Sequence, residues 1–292
     1  MSANKQRVFI TGGSSALIQK VIGFLPKERF QFLMLTRSAD REISGEIEWV
    51  VGDLMNPASY ENRLISCDLI IHAAAVTHTY DEKQYFEVNL EGTKTLLNIA
   101  KKNPRLRFVF ISSRTASAES GAYGHSKLLA EIEVAESGLP HVIIRPAEIF
   151  GGNKGEGIDK AIINAMNGGV QACPVGVQSP MYPIHVDDAA RMIANIVLSE
   201  NVVGKTLFVN GNVPYSFRDL INEASRVCGR SVFVIPLPKP AMQLLAALSR
   251  LFPGNFGIVP DQVARLYSKK EHATGSVQTI SLHDHIVSLC QK

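Results

Sequence analysis

The stretch F-V-F-I-S-S-R at 108–114, followed by A-Y-G-H-S-K at 122–127, decides the reading of this chain. Phe108 to Ile111 have the unbroken apolar character of a parallel strand buried on both faces. That strand delivers Ser112 and Ser113 to its C-terminal end. A short polar loop then leads into a helix carrying Tyr123 and Lys127 one turn apart on one face. A free phenol ionises near pH ~10, too high for easy proton exchange at neutrality. An ammonium one turn away favours the phenolate, and a serine hydroxyl from the strand end can hold the reacting oxygen. Ser113, Tyr123 and Lys127 therefore form a candidate proton relay for alcohol and ketone chemistry. In a chain with 7 tyrosines a Tyr-x-x-x-Lys pair alone says little; strand, serine pair, loop and helix in that order give it meaning.

Working outward, strand and helix signals alternate through the first half. Arg7–Thr11 is an apolar β-rich run ending in Gly12-Gly13, and a helical stretch from Ser15 to Leu25 is stopped by Pro26. Strands are expected at Gln31–Thr36, Glu46–Val51, Asp68–His72, Arg107–Ser112 and His141–Arg145, with helices at Lys83–Lys101 and Tyr123–Glu136. Continuous apolar strands separated by helices imply a doubly wound α/β fold, a parallel sheet covered on both faces. Ligands of such sheets sit beyond the carboxyl ends of the strands, where Thr11, His72, Ser113 and Arg145 fall. The second half is more mixed. It offers a glycine-rich loop at Gly151–Gly157, helices near Ile158–Met166, up to Leu198 and at Phe217–Val227, and strands at Lys205–Asn210 and Val232–Ile235. Ala241–Phe252 reads as an amphipathic helix over a core or a pocket, with interfacial membrane contact as the alternative.

Composition excludes several classes. At 292 residues, 46% hydrophobic and 20% charged, the chain can bury a sizeable core as one large domain or a domain with an annex. The net charge of +3 comes without a basic run, so the electrostatic footprint for nucleic acid is missing. Cys67, Cys173, Cys228 and Cys290 lie far apart without metal spacing, so reduced thiols and a cytoplasmic location are expected. His283 and His285 have no third ligand nearby, which predicts a surface helix and no metal. No apolar stretch reaches the ~20 residues that cross a bilayer, and the N-terminus runs into a strand without a signal-peptide pattern.

Other short motifs share the frame of the relay: Thr11-Gly12, Gly52-Asp53-Leu54, His72-Ala73-Ala74-Ala75, Val88-Asn89-Leu90-Glu91-Gly92-Thr93, Ile144-Arg145-Pro146 and Ile184-His185-Val186-Asp187-Asp188. Their order and spacing resemble the extended short-chain dehydrogenase/reductases of the nucleoside-diphosphate-sugar epimerase and dehydratase type, over nearly the whole chain. The resemblance implies a Rossmann-type dinucleotide-binding core in residues 1–150, with residues 151–292 adding strands to the sheet and forming a small C-terminal substrate lobe. It implies Tyr123 as general acid/base, Lys127 on the nicotinamide ribose while lowering the tyrosine's pKa, and Ser113 on the substrate oxygen. Asn89 would hold a helix break or a water near Lys127. The dinucleotide would meet Thr11, Gly12, Ser14, Ser15, Ala16, Leu17, Arg37, Asp53, Leu54, Ala73, Ala74, Ala75 and Pro146, with Tyr123 and Lys127 at its reactive end. Substrate would meet Ser113, Arg114, Glu148 and Tyr182. The second strand ends L-T-R-S with no acid at its tip, and Arg37 there suits the 2′-phosphate of NADP, favoured over NAD. A homodimer through the helices at 84–101 and 123–137 is also implied.

The chain departs from that pattern in three places. T-G-G-S-S-A-L-I keeps only Gly12 of the family's T-G-x-x-G-x-x-G, with Ser15 and Ile18 in the other glycine positions. Ser15 can still donate to phosphate from a helix N-terminus, whereas Ile18 is expected to push the helix outward unless it faces small residues. Arg114 and Thr115 stand where the dehydratases carry an Asp-Glu pair, which argues against dehydration. Glu148 replaces an asparagine that many epimerases use on substrate; it would bind a hydroxyl, repel a phosphate or face solvent. His185 reads as structural, at a helix start favoured by Asp187 and Asp188. The leading expectation is an NAD(P)-dependent epimerase or 4-keto reductase acting at a secondary alcohol or ketone of a nucleotide-linked sugar. The alternatives are a catalytically silent dinucleotide-binding or regulatory protein and a reductase of a non-sugar ketone.

Overall fold

Alternate side chains of the central strands enter two separate apolar cores, because successive residues of a strand point to opposite faces of the sheet. The structure, a computed structural model, describes residues 5–38, 47–152, 157–251, 259–274 and 278–291. Strand β1 (Gln6–Thr11) sends Val8 and Ile10 to one core and Phe9 to the other. Strands β2 (Phe30–Thr36), β4 (Leu69–His72), β5 (Arg107–Ile111) and β6 (His141–Pro146) divide in the same way. With β3 (Ile47–Val51) and β10 (Lys205–Val209) they form a seven-stranded parallel sheet in the order β10-β6-β5-β4-β1-β2-β3. The order reverses direction between β1 and β4, the switch point of a Rossmann-type α/β fold.

Helices α1 (Ala16–Phe24) and α7 (Val186–Leu198) cover the first core. Ile18 is fully buried there, in one cluster with Ala189, Ala190 and Ala194 of α7. Helix α1 packs on α7, whose small residues leave room in that core, and a buried isoleucine contributes about 1.5–3 kcal/mol of packing that a glycine would not. Helices α2 (Glu61–Ile65), α4 (Gly92–Ala100) and α5 (Gly121–Ala135) cover the second core. The region expected as one helix from Lys83 to Lys101 is α3 (Glu82–Tyr85), a π-helical turn at Phe86–Glu91 and then α4. Such wide turns re-aim side chains and are frequent at functional sites; this one carries Asn89.

Beyond β6 the chain builds a lobe and returns once to the sheet, with β10. Two small parallel pairs stand apart: β7 (Ile149–Phe150) with β9 (Ile184–His185), and β8 (Gly169–Pro174) with β11 (Val232–Leu237). Helices α6 (Gly157–Asn167), α8 (Phe217–Val227) and α11 (Leu282–Cys290) share a third core. The fourth core is small: Met242 and Ala246 of α9 (Lys239–Leu251) meet Val263 and Tyr267 of α10 (Pro260–Tyr267). Strand β8 and helix α10 have no counterpart among the expected elements. Glu46, Phe252 and the middle of the expected Gly151–Gly157 loop lie outside the described residues.

One expectation is corrected here. Cys228 and Cys290 are joined in a disulfide, their Cα atoms 5.8 Å apart, so the four thiols are not all free. The packing of α8 on α11 makes the pair, and a separation of 62 residues carries no sequence signature. Cys67 and Cys173 are free and buried. Among the described residues no helix is long and apolar enough to cross a membrane.

Candidate active site

The carboxyl ends of β1, β2 and β4 open into a cleft of about 490 Å³ at the switch point. Its walls include Thr11, Gly12, Ser14, Ser15, Arg37, Asp53, Leu54, Ala73, Ala74 and Ala75, ten of the residues expected to meet a dinucleotide. Ala16, Leu17, Pro146, Tyr123 and Lys127 do not line it. Leu17 packs on the first core, and Pro146 pairs with Val209 while its carbonyl accepts the Arg114 N–H at 2.9 Å. Gly12 has a φ of +71°, and a Cβ there would lie 2.6 Å from the backbone of Ala73 and Ala74. The tight turn and the close approach of the two strand ends thus require glycine. Ser15 is the N-cap of α1: its hydroxyl accepts the Ile18 N–H at 3.2 Å. Asp53 closes a turn, accepting the Met55 N–H at 2.8 Å, beside the exposed Arg37. A polar helix start, small walls and a cation at the rim fit a dinucleotide, and Ile18, turned into the core, does not obstruct it.

A chain of buried hydrogen bonds runs from this cleft to the relay. The Thr11 hydroxyl accepts from the Ala74 N–H at 3.1 Å and meets His72 Nδ1 at 2.6 Å; His72 Nε2 meets the Thr93 hydroxyl at 2.9 Å. Thr93 donates to the Asn89 carbonyl at 2.6 Å. Each contact then has one proton only if Thr11 donates to Nδ1 and His72 carries its hydrogen on Nε2. Burial pushes the His72 pKa down to about 3, with Lys127 adding to the effect, so the ring is neutral. Asn89 accepts the Val76 N–H at 2.8 Å and donates to the Val76 carbonyl and to the Ser126 hydroxyl, each at 3.1 Å. Ser126 in turn donates to the Tyr123 carbonyl at 2.8 Å. The wide turn thus ties the cleft wall to α5.

Tyr123 and Lys127 are both buried on α5. The Lys127 amine donates to the Ile111 carbonyl at 2.8 Å and lies 4.1 Å from the centre of the Phe110 ring. Burial pushes its pKa down to about 7, and the Glu131 carboxylate opposes this. Glu131 is held by Arg145 and by the Ser112 hydroxyl. The Tyr123 phenol lies above its ordinary value because it is buried; Arg265 and the nearby Ser113 pull it down, and Asp261 pushes it up. Ser113 also meets the Thr115 hydroxyl at 2.9 Å and accepts its N–H at 3.1 Å, which fixes the loop.

On the lobe side, Arg114 is buried and its donors are engaged with Glu148 at 2.8 Å and with the carbonyls of Glu271 and Pro180 at 2.9 and 2.8 Å. Its guanidinium also lies 5.4 Å from the Tyr182 ring centre, and Tyr182 stacks on His272 with centres 4.0 Å apart. Glu148 accepts the Tyr182 N–H at 3.3 Å as well. Burial pushes Lys270 down to about 8, partly offset by Glu148. This wall is polar and cationic. His185 caps α7, accepting the Asp187 N–H at 3.2 Å, and Asp188 anchors the backbone of Thr279 and Ile280. His283 pairs with Glu223, while His285 packs on Phe150 and His185. No metal-binding group occurs among the described residues.

Two residues that the sequence reading missed touch the relay. Arg265 of α10 lies 4.6 Å from the centre of the Tyr123 ring, and Asp261 accepts the Tyr123 N–H at 3.2 Å. Pro260-Asp261 is a recognisable helix start, so the helix could have been found, though not what it touches.

Known proteins resemble this chain in sequence and in fold. Residues 8–209 match the NAD dependent epimerase/dehydratase family, and the chain belongs to that family. A NAD(P) dinucleotide is the cofactor expected of its members. The sterol-4-alpha-carboxylate 3-dehydrogenase (decarboxylating) of Candida albicans is 24% identical, over 93% of this chain and 91% of its own. The 3-beta-hydroxysteroid dehydrogenase of Mycolicibacterium neoaurum is 25% identical, over 77% and 71%. Among solved structures, a nucleoside-diphosphate-sugar epimerase from Staphylococcus aureus superposes with a TM-score of 0.75 at 15% identity, over 97% of this chain and 100% of that one.

Proposed function

We propose that this chain is an NADP-dependent oxidoreductase or epimerase acting at a secondary alcohol or ketone of a nucleotide-linked sugar. The observation that carries the reading is the buried Tyr123 with Lys127 one turn on along α5, placed after the strand that leads to Ser113, with a polar group of Arg114, Glu148 and Lys270 on its lobe side. Bound in the cleft, the dinucleotide supplies or takes up hydride. The chain's own residues do the rest. Thr11, Gly12, Ser14 and Ser15 would hold its phosphates, and Arg37 the 2′-phosphate. Ser113 orients the substrate oxygen, Tyr123 gives or takes the hydroxyl proton, and Lys127 sits one turn behind it. Glu148, Tyr182 and the Arg114 guanidinium face build the substrate wall. Arg114 and Thr115 in place of an acidic pair speak for redox or epimerase chemistry over dehydration. Mixing the protein with nucleotide-linked 4-keto sugars and NADPH tests this: consumption of NADPH supports reduction, turnover without net consumption supports epimerisation, and no turnover of either kind sinks the reading.

A second reading, a dehydrogenase of a steroid-like alcohol, is favoured by the two relatives named for such substrates. The same assay with a 3-hydroxysteroid and NAD(P) separates it. The exposed Ile132 on α5 supports a homodimer through the α4–α5 face, measurable by light scattering.

A further inference from the structure

Helix α10 reaches the relay from far along the chain and is anchored there at several points. The first N–H groups of an α-helix have no partner within it, and the N-cap of α5, Ser120, makes no side-chain cap. Asp261 takes that place by accepting the Tyr123 N–H. Gly121, at φ +70°, leaves the room: a Cβ there would lie 2.3 Å from the Asp261 carboxylate. Ser120 bonds Ser268 at 2.7 Å, and Arg265 donates to the Thr77 carbonyl at 3.0 Å. Arg265 also lies 2.8 Å from the Asp261 carboxylate, and its guanidinium sits over the Tyr123 ring.

Resting on the reading of Tyr123 as the general acid/base, we infer that Arg265 is a positioning residue that sets the readiness of Tyr123 to release its proton, with Asp261 as its opposing control. A cation over an aromatic face is attracted to the ring, and more strongly once the phenol ionises and spreads negative charge across it. Arginine stays charged at every working pH. Lys127 is turned to the Ile111 carbonyl, and its amine, pushed down to about 7, is only partly charged at neutrality. The other groups around Tyr123 are Ser113 from the loop after β5 and Tyr85 of α3, whose ring centre lies 5.9 Å away. Tyr85 is itself held above its ordinary value by burial and brings no positive charge. In this chain the lobe thus supplies a permanent cation to the proton-transfer group.

The ionisation of Tyr123 can be followed by NMR of protein labelled at tyrosine Cζ, with Tyr123→Phe assigning the resonance. Arg265→Met is expected to move its midpoint up by about one pH unit or more, Arg265→Lys to recover part of the shift, and Asp261→Asn to move it down. An unchanged midpoint in Arg265→Met, or shifts of the same sign in Arg265→Met and Asp261→Asn, overturns the inference. Loosening of α10 would expose the phenol and lower its midpoint in both variants, so packing alone cannot imitate opposite signs. The readout needs no turnover: opposed shifts in a protein inactive on every ketone would uphold the electrostatic role and refute the proposed activity. Full activity with an unmoved midpoint would do the reverse.

Discussion

At the carboxyl edge of the sheet, a line of neutral hydrogen bonds from Thr11 to Asn89, together with the largely buried Arg145–Glu131 pair, holds polar groups between two large apolar cores. In the C-terminal lobe they are held by ion pairs, a disulfide and carbonyl contacts around two smaller cores. The edge is clamped from both faces by packing, so its geometry follows from the fold. The lobe buries less and relies on pairings between distant residues, so its geometry follows from a few specific contacts. Elements with few buried apolar contacts open first. On the proposed function, the edge would carry the proton transfer and the lobe would tune it and admit substrate.

The largest expected effect tests the edge. Tyr123→Phe removes only a hydroxyl, yet turnover is expected to fall about 10²–10⁴-fold, the usual worth of a positioned acid/base. Stabilisation by NADPH in a thermal scan should survive, because the cleft of Gly12, Ser14 and Ser15 is untouched. A variant that keeps its rate would mean that the edge is not where the proton moves.

The next effect tests the lobe. Cys228→Ser opens a link between α8 and α11 and is expected to cost about 2–4 kcal/mol, in keeping with a long closed loop. Hydrogen exchange should quicken in α8 and α11 while β1, β4 and β5 keep their protection. Equal loss of protection in both regions would show one cooperative unit and erase the comparison.

The same division explains what could be read in the sequence. Apolar runs such as Phe108–Ile111 and the helical spacing of Tyr123 and Lys127 are local patterns, and they placed the sheet, the cleft and the relay. Periodicity does not record the break in the long helix at Phe86–Glu91, because a π-helical turn keeps an apolar pattern much like that of the helices around it; only the resemblance, through Asn89, implies it. Whether Ile18 obstructs the cleft depends on α7, far along the chain, whose Ala189, Ala190 and Ala194 share its core. Arg265 over Tyr123, Arg114 on Glu148 and the Cys228–Cys290 pair depend on how distant segments pack, and no periodicity records that.

A third effect returns to the edge through pH. His72 has its folded pKa pushed down to about 3, below the ~6.5 of an unfolded histidine. The unfolded chain therefore binds more protons as pH falls below about 6.5, and stability is lost on the acid side, down to the folded pKa. By pH 5 this amounts to about 2 kcal/mol from His72 alone. Denaturant unfolding at pH 7.5 and 5 should show the loss in the parent protein and a shallower dependence in His72→Gln. Equal pH dependence in the two would mean that His72 is not held neutral and that the line from Thr11 to Asn89 is not continuous.

The smallest effect is expected at the rim, where the edge gives way to solvent. Arg37 is exposed, so its pairing with a 2′-phosphate is screened and contributes about 1 kcal/mol, far less than a buried contact would. Arg37→Ser should raise the Kd for NADPH about 5–10-fold and leave that for NADH nearly unchanged, read by fluorescence titration. Equal weakening of both dinucleotides would place Arg37 on the pyrophosphate or in the fold, and the preference for NADP would have to come from elsewhere in the cleft. No effect on either would leave Arg37 in solvent, so that specificity, like the tuning of Tyr123, would come from contacts outside the sheet edge.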